Sequence, residues 1–235
     1  MEKCAHLLVS KPEDLRGRWL GVSGYDEMHI ELGCGKGRFT VEAAMAAPRV
    51  LMVALEKSAN VIVIALERAA REGGYQNDER REGSEPTPRE CVQNVRFINA
   101  LADDLTDFFA PGEASRIYIN FCDPWPAKKH AKRRLTGQRF LELYKQVLRP
   151  GGEIHFKTDN LPLFEFSLSE LERCGFDLLS VSRDLHKDGP VGIMTDYEMK
   201  FVEQGLPIYG ARFAKRNDAV VQNQHRALGP GSELV

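Results

Sequence analysis

Residues 28–39 of the chain read MHIELGCGKGRF and combine three patterns. The first five residues are an apolar run typical of a β-strand, and a helical spacing of apolar residues begins at Phe39. Between them, Gly33, Gly35 and Gly37 form a glycine-rich turn. Because glycine has no Cβ, a ligand can approach such a turn closely, and the next helix directs its first N–H groups at that ligand. A tight turn that only packs the helix on the strand is the alternative.

The same alternation of short apolar runs and longer helical patterns continues to about residue 214. Strands are predicted at 28–32, 50–55, 95–98, 116–121, 153–157, 176–182 and 207–214, with a turn at 150–152 before the fifth. Helices are predicted at 39–47, 59–72, 140–148, 163–174 and 199–204. This order predicts an α/β, Rossmann-like fold with a mostly parallel sheet and helices on both faces.

The length of 235 residues predicts a single domain over residues 1–216. Residues 73–91 are charged and nearly free of apolar side chains, which predicts a mobile loop, and the polar segment 217–235 predicts a disordered tail. With 32 basic and 34 acidic residues, the chain does not resemble a generic polyanion binder. A local basic patch remains compatible with this balance.

The five cysteines form neither a CxxC pair nor a zinc-ligand spacing, so we expect reduced thiols and no metal site. No apolar run approaches the roughly 18 residues of a membrane span, and the N-terminus lacks the apolar region of a signal peptide. These features predict a cytoplasmic protein with no membrane partner. They leave a monomer and a homodimer open.

Two carboxylates accompany the glycine turn. Glu31 precedes it, and Glu56 ends the second predicted strand, 19 residues after Gly37, where an acidic residue can accept both hydroxyls of a ribose. The sequence therefore predicts a nucleoside cofactor at the carboxyl edge of the sheet. The GxGxG spacing favours S-adenosylmethionine mildly over a nicotinamide dinucleotide, and both remain open at this point.

The fourth predicted strand ends in Asn120-Phe121-Cys122-Asp123-Pro124-Trp125-Pro126. In an open α/β sheet this end faces the same crevice as the glycine turn, so Asp123 is the candidate catalytic residue. The two prolines stiffen the loop, and Trp125 offers a flat surface for stacking on a base. A plain Asp-Pro turn is the alternative.

A basic segment follows this loop directly. It holds five positive charges in seven residues, and without them the net charge of −2 becomes −7. Beside a candidate active site it is interpreted as a clamp for the phosphates of a nucleic acid, although such a run is also common on solvated surfaces. The charged residues are Lys128, Lys129, Lys132, Arg133 and Arg134.

Two more polar groups fall near the same edge. Asp159 follows the fifth predicted strand, and residues 195–198 read Thr-Asp-Tyr-Glu. Thr195 and Glu198 also have the spacing of a helix capping box, which explains them without a ligand.

The chain resembles the bacterial tRNA (guanine-N7-)-methyltransferases, which modify a guanine in the variable loop of tRNA. The resemblance spans about residues 30–213 and rests on IELGCGKGRF, ALEKS, YINFCDPWPAKKHAKRRLT, HFKTDNLPLFEFSL, and MTDYEMKF with GLPIYGARF. It implies a class I S-adenosylmethionine-dependent methyltransferase fold with an antiparallel C-terminal strand, and tRNA as the partner.

The resemblance also implies roles for individual residues. It implies that Glu31, Glu56 and the catalytic Asp123 bind the cofactor, and that Asp159, Thr195, Asp196, Tyr197 and Glu198 hold the target nucleotide. The glycine turn adds Gly33, Gly35 and Gly37 to the expected cofactor site, with Asn99 as a further candidate. The basic segment adds Lys128 for the target nucleotide and Lys129, Lys132, Arg133 and Arg134 for the tRNA backbone.

Three positions depart from the family. Ala127 stands where many relatives have a substrate-binding lysine, so either Lys128 replaces that lysine or the contact is lost. Leu101 stands where an aspartate is common, so the adenine contact is expected from Asn99, Asp103 or backbone groups. The N-terminus lacks the basic stretch that many relatives carry.

Guanine N7 has a lone pair and no proton, so positioning rather than a strong base should dominate catalysis. We expect Asp123 to offset positive charge on the purine, Asp159 to fix the base edge, and Trp125 to stack where a flipped guanine has left. The alternatives are a methyltransferase acting on an exocyclic amine, a non-catalytic RNA-binding protein with the same fold, and a nicotinamide dehydrogenase.

Overall fold

The computed structural model describes residues 2–21, 24–73 and 91–217. Within them, seven strands form one sheet in the order β3-β2-β1-β4-β5-β7-β6. The strands are β1 (Glu27–Leu32), β2 (Val50–Leu55), β3 (Val95–Ile98), β4 (Ala114–Asn120), β5 (Leu148–Thr158), β6 (Phe176–Ser182) and β7 (Tyr209–Lys215). The first five pair in parallel, and β7 lies antiparallel between β5 and β6. The mostly parallel sheet and the antiparallel C-terminal strand are thus confirmed.

In the same described ranges, six α-helices connect or follow these strands. They are α1 (Arg38–Ala46), α2 (Ala59–Gly73), α3 (Leu105–Phe108), α4 (Gln138–Val147), α5 (Leu161–Arg173) and α6 (Asp196–Glu203). Short 3-10 helices lie at Glu2–Leu7, Pro12–Leu15, Ala102–Asp104 and Lys128–Arg133.

The two faces of the sheet bury separate hydrophobic clusters. In β1, Met28, Ile30 and Leu32 point to the face covered by α4 and α5, whereas His29 and Glu31 point to the face of α1. A second cluster joins α1 and α2 to β2 and β3. The crossover helices therefore cover both faces, as the sequence predicts.

One predicted turn was wrong. Pro150-Gly151-Gly152 does not precede β5 but lies inside it, because Leu148 already pairs with Ala114 and Glu153 pairs with Arg116. The register shift between these pairs absorbs the extra residues, and Gly151 takes a positive φ of 70° there. The start of the last predicted helix was also wrong, since α6 begins at Asp196 rather than Met199.

The mobile loop predicted at 73–91 and the disordered tail predicted at 217–235 fall almost wholly on residues 74–90 and 218–235. These residues lie outside the described part of the chain. None of the five cysteines forms a disulfide. Among the described residues, no helix has the length and apolarity to cross a membrane.

Candidate active site

A crevice of about 360 Å³ lies at the carboxyl ends of the parallel strands β1, β2, β3 and β4. Parallel sheets bind ligands at this edge because the connecting loops converge there. The crevice brings together Gly33, Glu56 and Asp123, which follow three different strands, and it is closed by Trp125 and the segment from Ala100 to Asp103.

The glycine turn has two different functions. Gly33 and Gly35 have positive φ values of 75° and 54°, and a Cβ added to either would meet no atom within 4 Å. The space in front of them is therefore open to a ligand. Gly37 instead begins α1 with a φ of 74°, and a Cβ there would lie 2.6 Å from the Cβ of Ala65. Its small size allows α1 to pack on α2.

Glu56 lies beside the turn with 9% of its surface exposed. Its Oε2 accepts the Gly35 N–H (3.1 Å) and its Oε1 accepts the Ser58 N–H (2.9 Å). A carboxylate oxygen can accept two hydrogen bonds, so both oxygens keep one acceptor site for ribose hydroxyls. Asn99 supports this arrangement from behind, because its side-chain amide donates to the Glu56 carbonyl (2.8 Å).

Glu31 is 1% exposed and does not line the crevice. Its two oxygens accept hydrogen bonds from the Thr40 hydroxyl and from the Asn120 amide. Burial raises the pKa of Glu31, whereas these two donors lower it in part. Asn120 does line the crevice, so Glu31 is connected to the crevice through its hydrogen bond with Asn120.

The loop after β4 has a strained backbone. Phe121 and Trp125 take positive φ values of 53° and 42°, which are rare for residues other than glycine and concentrate at functional sites. Between them, the Asp123 side chain is 66% exposed toward the crevice, and its Oδ2 lies 3.7 Å from the Lys57 Nζ. Burial and the neighbouring Asp123 charge raise the pKa of the Cys122 thiol to about 12, so this cysteine stays a neutral thiol.

The basic segment divides into free and engaged side chains. Arg134 donates to the carbonyls of Pro124 (3.1 Å) and Trp125 (3.1 Å), and Arg133 lies over the Trp125 ring at 4.8 Å. These arginines brace the Asp123 loop. Lys128, Lys129, Lys132 and Arg133 have exposed side chains that form no ion pair within the described part of the chain, and Arg133 packs on Trp125 instead.

The segment 195–198 lies beside this loop, because the Tyr197 ring centre is 5.2 Å from that of Phe121. Thr195 and Glu198 form the expected capping box of α6, and Glu198 is fully buried. Asp196 pairs with Arg68. Tyr197 remains 46% exposed, and its pKa is raised by burial and by the charge of Asp159.

Leu101, which stands where many relatives have an aspartate, lies at the crevice. Leu101 is 51% exposed at the crevice, and Asp103 lines it together with its ion-pair partner Arg139. Asp103 therefore supplies a carboxylate at the crevice two residues from Leu101, whereas the Asp104 carboxylate accepts the Leu101 N–H (3.2 Å). Sequence reasoning missed Lys57, Asn120 and Arg139. Lys57 directly follows Glu56 and Asn120 lies three residues before Asp123, whereas nothing in the sequence marks Arg139.

The strand order, the open glycine turn and the carboxylates around the crevice define a class I methyltransferase. The family described as "putative methyltransferase" matches residues 26–211. A tRNA (guanine-N(7)-)-methyltransferase from Geobacillus kaustophilus (strain HTA426) is 44% identical over 204 residues, which cover 86% of each chain. The chain belongs to the tRNA (guanine-N7-)-methyltransferase family.

Solved structures show the same fold at low sequence identity. The 16S rRNA methyltransferase KamB is 14% identical with a TM-score of 0.60, over 87% of this chain and 92% of that chain. An antibiotic-related methyltransferase is 15% identical with a TM-score of 0.58, over 86% and 94%. At this identity the likeness concerns the fold alone.

Proposed function

We propose that the chain transfers a methyl group from S-adenosylmethionine to N7 of a guanine in the variable loop of tRNA. The observation that carries the proposal is the crevice itself, where the open glycine turn, Glu56 and Asp123 meet at one edge of the sheet. The family membership supplies the substrate class.

The residues of the crevice fit this cofactor. The open space before Gly33 and Gly35 suits a group that approaches the backbone and the start of α1. The remaining acceptor sites of Glu56 suit ribose hydroxyls, and Asp103 suits the amino group of an adenine. S-adenosylmethionine supplies a methyl group on a positively charged sulfur, which a nucleophile can attack directly.

Guanine N7 needs no base because it carries a lone pair and no proton. The protein therefore has to place the purine and stabilise charge. Asp123 accepts hydrogen bonds from the guanine or the cofactor and offsets positive charge that develops on the purine. Lys57 orients this carboxylate from 3.7 Å. The strained loop fixes Asp123 in advance, so little reorganisation is needed.

A variable-loop guanine is partly stacked in folded tRNA, so it has to open or flip before N7 becomes accessible. Asp159 accepts from the N–H donors of the base edge, and Trp125 stacks on a neighbouring base. Lys128 takes the place of the family lysine at position 127, and Lys129 and Lys132 bind phosphates. A tRNA-modifying enzyme acts where tRNA is processed, so we place it in the cytoplasm.

Incubation with labelled S-adenosylmethionine and unmodified tRNA, followed by nucleoside analysis, tests this function. The expected product is 7-methylguanosine. A methyl group on an exocyclic amine would assign the chain to a different reaction. If no label is transferred to the tRNA, the proposal is overturned.

A further inference from the structure

Lys157 lies at the end of β5, outside the residues singled out above. Its side chain is 13% exposed, and its Nζ donates to the Ile193 carbonyl (3.0 Å) and to the Glu198 carboxylate (2.5 Å). The ammonium group also lies 5.4 Å from the centre of the Phe39 ring, on α1. Lys157 thus joins the sheet, α1 and the segment before α6.

Its partner Glu198 has no exposed surface. Glu198 Oε2 accepts the Thr195 N–H (3.1 Å) as well as Lys157, and Oε1 bonds His186 Nε2 (2.8 Å). Both oxygens are therefore engaged within the protein, and the carboxylate is not available to a substrate. A buried carboxylate requires a cation or several donors, so Glu198 depends on Lys157.

The segment 193–198, which this ion pair attaches to β5, includes an aromatic side chain that packs against other rings. The Tyr197 ring lies 5.2 Å from Phe121 and 4.8 Å from Phe201, between ring centres. Phe121 lines the crevice two residues before Asp123, and Tyr197 is 46% exposed beside it. The position of Tyr197 relative to Asp123 is thus set by how residues 193–198 dock on β5.

We propose that Lys157 is a positioning residue for the methyl transfer, because its buried ion pair with Glu198 holds Tyr197 against Phe121 as the surface on which the target guanine stacks. This proposal rests on the proposed function. It separates two roles within residues 195–198, since Tyr197 contacts the base whereas Glu198 anchors the segment.

The capping box alone does not explain the arrangement. It satisfies N–H groups within the segment, and a glutamine at position 198 would satisfy the same N–H group. The contact to Lys157 instead joins residues that are 41 positions apart. Together with the Asp196–Arg68 ion pair, it is a long-range contact that fixes where the segment lies, and it is the one that joins the segment to β5.

The test compares Lys157→Met and Lys157→Arg with the matched control Lys145→Met, which removes an ion pair between Lys145 and Glu142 on α4. For each variant, calorimetry counts the S-adenosylmethionine sites and gives their affinity. The rate of 7-methylguanosine formation at saturating tRNA is then expressed per site. A merely structural role would lower the number of sites but not the rate per site.

We expect Lys157→Met to lower the rate per site about 10- to 100-fold, as for a small misplacement of a reactant, with cofactor affinity changed less than about twofold. Lys157→Arg should restore most of the rate, and Lys145→Met should leave it unchanged. A Lys157→Met protein with the wild-type rate per site would overturn the positioning role. If wild-type protein forms no 7-methylguanosine, the proposed function fails instead.

Should Lys157→Met not fold, the double variant Lys157→Met/Glu198→Gln decides the question. It removes both charges and keeps the cap acceptor, and neutral replacements of a buried pair are often tolerated. A folded double variant with a low rate per site supports the role of Lys157. A full rate would show that Lys157 only neutralises Glu198, and the proposal would be wrong.

Discussion

Replacing Lys128, Lys129 and Lys132 together with glutamine tests how the protein holds tRNA. All three lie exposed in the 3-10 helix Lys128–Arg133, directly after the Asp123 loop. Arg134 is the matched control, because its guanidinium bonds the carbonyls of Pro124 and Trp125 and lies 4.3 Å from the Phe166 ring centre. We expect the lysines to bind phosphates and Arg134 to brace the loop.

The magnitude follows from counterion release. Each lost phosphate contact makes the negative slope of log affinity against log salt less steep by about 0.7 to 0.9, so the loss of three contacts makes it less steep by about 2 to 3. Between 50 and 200 mM salt, the affinity of wild-type protein should then fall about 20- to 40-fold more than that of the triple variant.

Titration of labelled tRNA at several salt concentrations measures both slopes. Arg134→Gln should keep the wild-type slope to within about 0.5 and lower turnover, because the strained loop loses its brace. An unchanged slope in the triple variant would refute the division of the basic segment into phosphate-binding and bracing residues. A slope that becomes less steep by about 0.7 to 0.9 in Arg134→Gln, the effect of one phosphate contact, would also refute it.

Other predictions concern stability and the cofactor site. Gly37→Ala should lower the free energy of unfolding by about 2 to 4 kcal/mol in urea titrations, since the new Cβ meets Ala65 at 2.6 Å and φ is 74°. Gly35→Ala, whose new Cβ meets no atom within 4 Å, should lower the free energy of unfolding less. Equal losses in the two variants would contradict the packing role of Gly37. Burial lowers the pKa of His29 and His155 to about 4, so the unfolded chain binds more protons below pH 6.5. Stability should then fall between pH 6.5 and 4, by at most about 1.4 kcal/mol per pH unit for each histidine. His29→Asn should flatten this dependence, and an unchanged profile would show that the folded protein admits the proton.

The fold was predictable because local patterns and tertiary structure agree. The runs at Val50–Leu55, Val95–Ile98 and Phe176–Ser182 have the predicted bounds, since each is an uninterrupted strand between clear turn or helix signals. The turn signal at Pro150-Gly151-Gly152 misled, because glycine marks a bulge inside a strand as readily as a turn between strands. Only the pairing of Leu148 with Ala114 on β4, which the sequence does not show, distinguishes a bulge inside the strand from a turn before it.

The site residues were predictable where a carboxylate stands at or just after the end of a predicted strand. Glu56 and Asp123 were found in this way, and the structure brings both to one crevice. The burial of Glu31 and Glu198 could not be predicted, because each has its partner on a distant segment: Asn120 for the first and Lys157 for the second. Spacing within the chain shows which residues share an edge, but not which of them turn away from the ligand.

The central claim is that this crevice methylates guanine N7 with Asp123 at its reacting end. The most direct test is the yield of 7-methylguanosine per mole of tRNA for wild-type protein and for Asp123→Ala, with circular dichroism to compare their folds. We predict 7-methylguanosine with the wild-type protein and none with a folded Asp123→Ala. Equal yields from both proteins would contradict the account.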